Sequence, residues 1–336
     1  MDIDMNRKIA GRTVRGLVTA ALVTAAAVVS TTAALAEARV LKFAHVLQTN
    51  HPYHDMALRF KAELEARDVG LSVEIFPASQ LGNESELISG LQLGSVDIST
   101  ITSAVTSNFV PEFRVFSLPF MFRDAGHLFR VMDGEIGDEM AARMLDAGLV
   151  KLGYGYGGTR DLYTSKAVNE LADLEGLKIR TMKNSAIIDT WNALGAIATP
   201  VAWSDVPVSL KQGLIDGGEG TGVSYRSMAF YEDTRYFTRL AYIFSWHNLM
   251  MSKMTFDSLT GEQQRAVLDA AKIAETYERT TFLDQEKALF DDLADKGAEI
   301  ITPRDRAEWI ARIKDVYAAN ADDVGGLERI EAIQNY

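Results

Sequence analysis

The chain has 336 residues, 47% of them hydrophobic and 24% charged, a globular composition at a length that accommodates two domains. Residues 37–336 carry 30 Lys+Arg against 44 Asp+Glu, formally −14, and such a surface disfavours nucleic acid and anionic lipid, which need clustered cations. Cysteine is absent, which excludes disulfides, thiol catalysis and Cys-based metal sites.

In chain order, Arg7, Lys8, Arg12 and Arg15 precede an apolar run from Leu17 to Val29, and Ala34-Leu35-Ala36 follows. This is the pattern of an export signal cleaved after Ala36; the run is short for a bilayer span of about 20 residues. No later window approaches a membrane span, so the mature chain is expected to be exported and soluble. Residues 39–46 alternate as a strand, a helix is predicted from Tyr53 to Arg67 on Met56, Ala57, Phe60 and Leu64, and Leu71–Phe76 is a second strand ended by Pro77. A βαβ opening favours a parallel sheet covered by helices.

An internal echo follows. Residues 72–99 read strand, turn, helix (Glu84 to Leu93), Gly94, strand; residues 196–218 read strand, turn, helix (Asp205 to Gln212), Gly213, strand. Both carry Leu-x-x-Gly-x-x-Asp, at Leu91, Gly94, Asp97 and at Leu210, Gly213, Asp216. Each glycine stands where a helix ends in the left-handed conformation. The repeated order of elements predicts two related α/β lobes. Thr260-Gly-Glu-Gln263 fits a capping box, and no Gly or Pro interrupts residues 262–296. The pattern allows two helices joined at Arg279–Thr281 or one long helix spanning both lobes.

Catalytic patterns are not visible. His45, His51, His54, His127 and His247 lack a metalloprotease spacing, and nucleophile-elbow and phosphate-loop motifs are missing. Gly153-Tyr-Gly-Tyr-Gly-Gly158 reads as a strand whose backbone bends or meets a close partner. Arg160 and Arg180 lie in apolar strands, where a buried charge must be paired. Glu175, Asp173 or Asp189 serve as structural partners for Arg180; a ligand carboxylate is the other choice, since the guanidinium fork suits bidentate binding. Trp203 reads as core or as a pocket wall. Glu84 either caps its helix or accepts from a ligand hydroxyl, and Glu219 reads as a turn residue, solvated or structural.

The ordered set Phe43-Ala-His, Phe76-Pro-x-x-Gln-Leu-Gly82, Gln92-Leu-Gly-x-x-Asp97, Phe116-x-Leu-Pro-Phe-x-Phe122, Gly176-Leu-Lys-Ile-Arg180, Ala193-Leu-Gly-Ala196 and Gln212-Gly-Leu-Ile-Asp-Gly217 resembles the substrate-binding proteins of TRAP (tripartite ATP-independent periplasmic) transporters, DctP type, over the mature chain. The resemblance implies an α/β, two-lobed periplasmic-binding-protein-like (type II) fold, with a cleft between lobes and a long bracing helix, about 260–296. It places lobe I at 37–157 plus 246–285 and lobe II at 158–245 plus 286–336. It also implies a periplasmic binding protein without catalysis or cofactor, a monomer that delivers a small organic acid to membrane permease subunits. By the same resemblance Arg180 grips the carboxylate, Arg160 assists, Glu84 reaches the far end of the ligand and Trp203 stacks on it. His45, Asn184, Glu219 and His247 complete the candidate set. One departure stands out: the family reads Asp-Gly-x-Glu-Asn-Pro, and Gly220 replaces its Asn here, removing a donor and acceptor and widening the cleft. Glu84 with His45 suits a hydroxylated acid such as a sugar acid. A C4-dicarboxylate binder, a secreted hydrolase using Glu84 and Glu219, and a sensory module are the rival expectations.

Overall fold

Nine strands order the chain of the computed structural model, which describes residues 38–336; the expected signal segment and its cleavage after Ala36 lie outside these residues. They are β1 (Arg39–Ala44), β2 (Leu71–Phe76), β3 (Ile98–Thr102), β4 (Leu149–Thr164), β5 (Lys178–Thr181), β6 (Ile197–Pro200), β7 (Gly217–Thr221), β8 (Tyr236–Ser252) and β9 (Glu299–Ile301). The sheet order is β2-β1-β3-β8-β4-β7-β5-β6, with β9 on β8. It divides into two parallel triplets. In one, β1 lies between β2 and β3; in the other, β5 lies between β6 and β7. The long strands β4 and β8 join them, and every pairing from β3 through β8 and β4 to β7 is antiparallel. Three reversals leave the triplets running in opposite directions, so their carboxyl ends converge on the middle of the β4–β8 pair. There Thr102 of β3 pairs with His247, which pairs with Gly155, and Thr221 of β7 pairs with Arg160. This is a two-lobed α/β fold in which the long strands β4 and β8 run from one triplet to the other.

The echo has a physical basis. Asp97 accepts the Lys42 N–H at 2.8 Å and Asp216 accepts the Lys178 N–H at 2.8 Å. In each lobe the aspartate just past the helix therefore ties the start of the next strand to the central strand of its triplet. Gly94 and Gly213 hold φ of 73° and 66°, the left-handed values that spare glycine the clash a Cβ would make.

The predicted segment after Thr260 is one helix, Gly261–Lys287, running unbroken through Arg279–Thr281; it stops short of residue 296, and a separate helix covers Leu289–Asp295. Thr260 and Gln263 exchange both hydrogen bonds of the capping box. The first half buries Val267, Ala270, Ala271 and Ala274 with Met56, Phe60 and Leu64 of the helix Pro52–Glu65. Each large side chain so buried contributes about 1.5–3 kcal/mol, and the alanines let the helices approach closely. Continuity at Arg279 follows from its anchorage: its guanidinium donates to Tyr154 O at 2.7 Å and to Asp133. Ala288, at φ −105° and ψ 4°, ends the run.

The second half lies along β4. β7 covers β4 only from Arg160 onward, so the N–H groups on the preceding edge lack a strand. Carboxylates replace it: Glu275, Glu278 and Glu286 accept from Tyr154, Tyr156 and Thr159 at 2.9, 2.9 and 3.2 Å. Backbone donors withdrawn from water require such partners. No helix among the described residues is long and apolar enough to cross a membrane.

Candidate functional site

Where the strand ends converge, a cavity of about 440 Å³ opens, and a neighbouring recess of about 470 Å³ shares Glu84, Arg180, Met182 and Trp203 with it. Arg180, on the four-residue strand β5, and Arg160, near the far end of β4, are 3% and 6% exposed. Both face one acid, Glu219 of β7, which is fully buried.

The two arginines differ in how well they are compensated. Arg160 Nε donates to Glu219 Oε2 at 2.5 Å and its Nη2 donates to the Glu219 carbonyl at 3.1 Å. Tyr242 donates its hydroxyl to the same oxygen at 2.7 Å. Burial pushes the Glu219 carboxyl up, but Arg160, Arg180 and Tyr242 together hold it below its ordinary value, so it is ionised. Arg180 receives less. Its Nε donates to Val201 O at 2.9 Å, its Nη1 stands 3.9 Å from Glu219 Oε1, and neither of those last two atoms has a hydrogen-bond partner among the described residues. Burial lowers the Arg180 pKa from its usual value despite Tyr163 and Glu219. Two guanidinium groups, Arg160 and Arg180, thus meet two carboxyls, Glu219 and Glu84, at one cavity, and Arg180 is the less compensated of the two cations.

Trp203 stands on a single helical turn, Trp203–Asp205, after β6, with Arg180 Cζ 5.4 Å from its ring centroid. It is a cavity wall, braced edge-on by Phe230 at 5.4 Å. Glu84 opens its helix and lines the cavity; its carboxylate accepts the Thr102 N–H at 2.7 Å. Burial raises its pKa against that hydrogen bond, which favours a carboxyl that exchanges hydrogen bonds with a neutral polar group. Gly220 also lines the cavity; a Cβ there would stand 3.3 Å from Tyr163 Cε1, tighter than ordinary contact, and 4.0 Å from Arg160 Nη2, so the bare backbone makes room for the Tyr163 ring and the expected widening of the cleft does not follow from it.

Four expected residues do not line this cavity. Glu219 lies in the strand β7, not in a turn, and is neither solvated nor cavity-facing but locked behind the arginines. The acids Glu175, Asp173 and Asp189 do not pair with Arg180; β7 brings in Glu219 instead, a partner remote in sequence. His45 is buried at the end of β1 with Nε2 3.1 Å from His54 Nδ1, and burial with the nearby His54 pushes its pKa down to about 3. Asn184 caps the helix Ser185–Ala193 through Oδ1 and donates its amide to Ala104 O, Ser107 Oγ and Ser117 Oγ at 3.0–3.1 Å. That fourfold use consumes the side chain structurally. His247 is fully buried on β8 and packs under Tyr53, ring centroids 3.8 Å apart.

Hydroxyl-bearing residues that sequence reasoning passed over line the cavity: Tyr53, Thr102, Thr221, Ser224 and Ser245. Thr102 and Thr221 were accessible through the echo, because each ends the strand that follows its repeat aspartate. Ser224 and Ser245 carry no local signal.

A family model described as DctP, bacterial extracellular solute-binding protein family 7, matches residues 43–323. The solute-binding protein RD1_1052 of Roseobacter denitrificans is 33% identical over 315 residues, 92% of this chain and 94% of the relative. Its structure as a TRAP periplasmic solute-binding protein, with bound L-galactonate, superposes with a TM-score of 0.83 over 88% of this chain and 99% of that one. The 2,3-diketo-L-gulonate-binding periplasmic protein YiaO of Escherichia coli is 32% identical over 291 residues, 86% of this chain and 88% of the relative. A TRAP periplasmic solute-binding protein of Bradyrhizobium in complex with D-galacturonate is 35% identical, with a TM-score of 0.84 over 89% of this chain and 100% of that one. With its paired lobes and the arginine-bearing cavity where their strand ends converge, the chain belongs to the DctP family of bacterial extracellular solute-binding proteins, the substrate-binding proteins of TRAP transporters.

Proposed function

We propose that this chain captures a small hydroxylated organic acid, of the sugar-acid class, in the periplasm and delivers it to TRAP permease subunits. The observation that carries the reading is Arg180: a buried guanidinium whose Nη1 has no hydrogen-bond partner among the described residues, on the wall of a cavity that five hydroxyl-bearing residues share with Glu84, Arg160, Trp203 and apolar side chains. A carboxylate supplies what that cation lacks, and each charge-assisted hydrogen bond is worth about 1.5–3 kcal/mol. Arg160 adds its field but is fastened by Glu219, so it orients more than it grips. Trp203 offers a face to the carbon chain, and Glu84, Tyr53, Thr102, Thr221 and Ser245 exchange hydrogen bonds with hydroxyls. The acids bound by the galactonate, galacturonate and diketogulonate relatives support this class. A C4-dicarboxylate fits less well, since its second carboxylate would meet Glu84.

Binding without turnover is the other half of the proposal. A hydrolase using Glu84 and Glu219 as a pair would need both carboxyls at the substrate, and Glu219 is fully buried outside the cavity lining, engaged by Arg160 and Tyr242. Lobe I is assigned to 37–157 plus 246–285 and lobe II to 158–245 plus 286–336, with β4, β8 and the helix Gly261–Lys287 as the connections that flex on closure. Ligand then selects the closed population. Export with cleavage after Ala36 belongs to the same reading.

A thermal-shift panel of sugar acids, dicarboxylates, neutral sugars and amino acids tests it, because only true ligands raise the melting temperature. Sugar acids are expected to stabilise the chain and to lose that effect in Arg180→Ala. Stabilisation by neutral sugars, or by acids equally in the variant, would sink the carboxylate clamp.

A further inference from the structure

In the glycine run of β4, Gly157 lines the cavity but Gly155 does not, and Gly155 has a different partner. A Cβ on Gly155 would lie 1.9 Å from His247 Nε2 and 2.8 Å from Glu278 Oε2. His247 is the ladder partner of Gly155 on β8, and over the bare glycine it reaches the helix Gly261–Lys287. His247 Nε2 and Glu278 Oε1 stand 4.0 Å apart, both residues fully buried. Both ring nitrogens and Oε1 lack hydrogen-bond partners among the described residues, while Glu278 Oε2 is occupied by the Tyr156 N–H. Tyr53, which lines the cavity, lies against the imidazole.

We propose that His247 and Glu278 share one proton across Gly155, beneath Tyr53, and that binding of an anionic ligand is thereby linked to proton uptake. Buried polar atoms without partners are costly; at 4.0 Å the two groups are coupled through their charges and not by a hydrogen bond, and one proton carried by either of them leaves the pair neutral. The surroundings do not supply a substitute. On the same helix, Glu275 is like-charged, and Arg279 is engaged by Asp133 and Glu275. From the start of the helix Pro52–Glu65 come Tyr53 and His51, whose Nε2 is 3.1 Å from Ser224 Oγ; from β4 come the Tyr156 N–H and the Tyr156 phenol, whose pKa burial and the nearby Glu286 push up. Across the cavity wall stand Glu84 and Arg160. Burial pushes Glu278 well above the ordinary carboxylate value and His247 well below the ordinary imidazole value. Loss of the proton to solvent therefore leaves a buried anion under the floor of an anion site. The linkage rests on the reading of the cavity given above; the shared proton does not.

Calorimetric titration of the wild type and Glu278→Gln with D-galacturonate and L-galactonate, from about pH 5.5 to 8.5 in two buffers of different ionisation enthalpy, measures both affinity and protons exchanged. Gln retains an oxygen for Tyr156. The wild type is expected to take up protons and to weaken with rising pH, by up to about tenfold per unit for a full proton; the variant is expected to take up none and to show a flat profile. Equal slopes and equal proton counts overturn the linkage. If Glu278→Gln does not fold, His247→Asn replaces it, and an unchanged profile again overturns the idea. A ligand-free arm follows the melting temperature against pH. A carboxyl raised in the folded state contributes stability below its unfolded value that is lost as pH rises through the folded one, so the wild type should fall relative to the variant. Parallel curves refute the shared proton. Diverging curves with no binding of either acid refute the cavity reading and the linkage, and leave the shared proton standing.

Discussion

Replacing Arg180 by alanine separates a structural arginine from a ligand-binding one. In the unliganded chain its guanidinium donates one hydrogen bond, to Val201 O at 2.9 Å, and lies 5.4 Å from the Trp203 ring centroid. Losing a bond to a neutral carbonyl and a cation–π contact costs about 2–3 kcal/mol. Burial disfavours the cation at this position, as its lowered pKa records, so its removal recovers part of that cost. Glu219 retains Arg160 and Tyr242. The net expected loss of stability is about 1–2 kcal/mol, measured by urea unfolding of the ligand-free protein. Binding should suffer far more, because two charge-assisted bonds to the carboxylate disappear: about 3–6 kcal/mol, or roughly 10²–10⁴-fold in Kd by titration calorimetry. Arg180→Lys keeps the charge but not the fork and should fall between. A loss of stability beyond about 4 kcal/mol, with affinity per folded molecule unchanged, would make Arg180 a structural residue and refute the argument.

The opposite ranking is expected for Arg160→Met: it strips Glu219, fully buried, of its principal cation, and unfolding should register about 3–5 kcal/mol, more than for Arg180→Ala. Gly155→Ala should lower the melting temperature sharply, since the new Cβ would meet His247 at 1.9 Å; Gly213→Ala, with nothing within 4 Å and φ of 66°, should cost only about 1–2 kcal/mol of left-handed strain. Asp161, buried beneath the N–H groups of Leu240 and Ala241, has its pKa pushed up to about 6 by burial. A raised carboxyl loses its contribution as pH climbs from its unfolded value to its folded one. Melting temperatures of the wild type should therefore fall relative to Asp161→Asn between about pH 4 and 6, and parallel curves would show that Asp161 is ionised throughout.

Much of the architecture was legible because it rests on local rules. The helix Pro52–Glu65 follows its apolar spacing, and its predicted end at Arg67 differs only by fraying turns. β2 spans the run that alternation and Pro77 delimit, and Gly94 ends its helix in the left-handed conformation. Even the echo was readable, and in the fold Asp97 and Asp216 make the same bond, each accepting a backbone N–H of the central strand of its triplet. The helix after Thr260 was ambiguous at Arg279 because continuity there depends on Asp133 and on Tyr154 O, both far along the chain.

Site composition divided along the same line. Arg160, Arg180, Glu84 and Trp203 stand at strand ends or helix starts, positions that sequence pattern marks, and all four border the cavity. His45, Asn184, Glu219 and His247 are polar residues in equally marked places, yet each is consumed by a neighbour that only folding supplies: His54, Ser107 and Ser117, Arg160, and the gap over Gly155. The sequence by itself determined the two lobes, the strand-end arginines and the family, because periodicity, caps and motif order act over a few residues at a time. Which guanidinium remains uncompensated, and which acid answers the other, was decided by the antiparallel β4–β8 crossing that brings β5 and β7 to one cavity, since charge pairing inside a protein depends on distance in space and not along the chain.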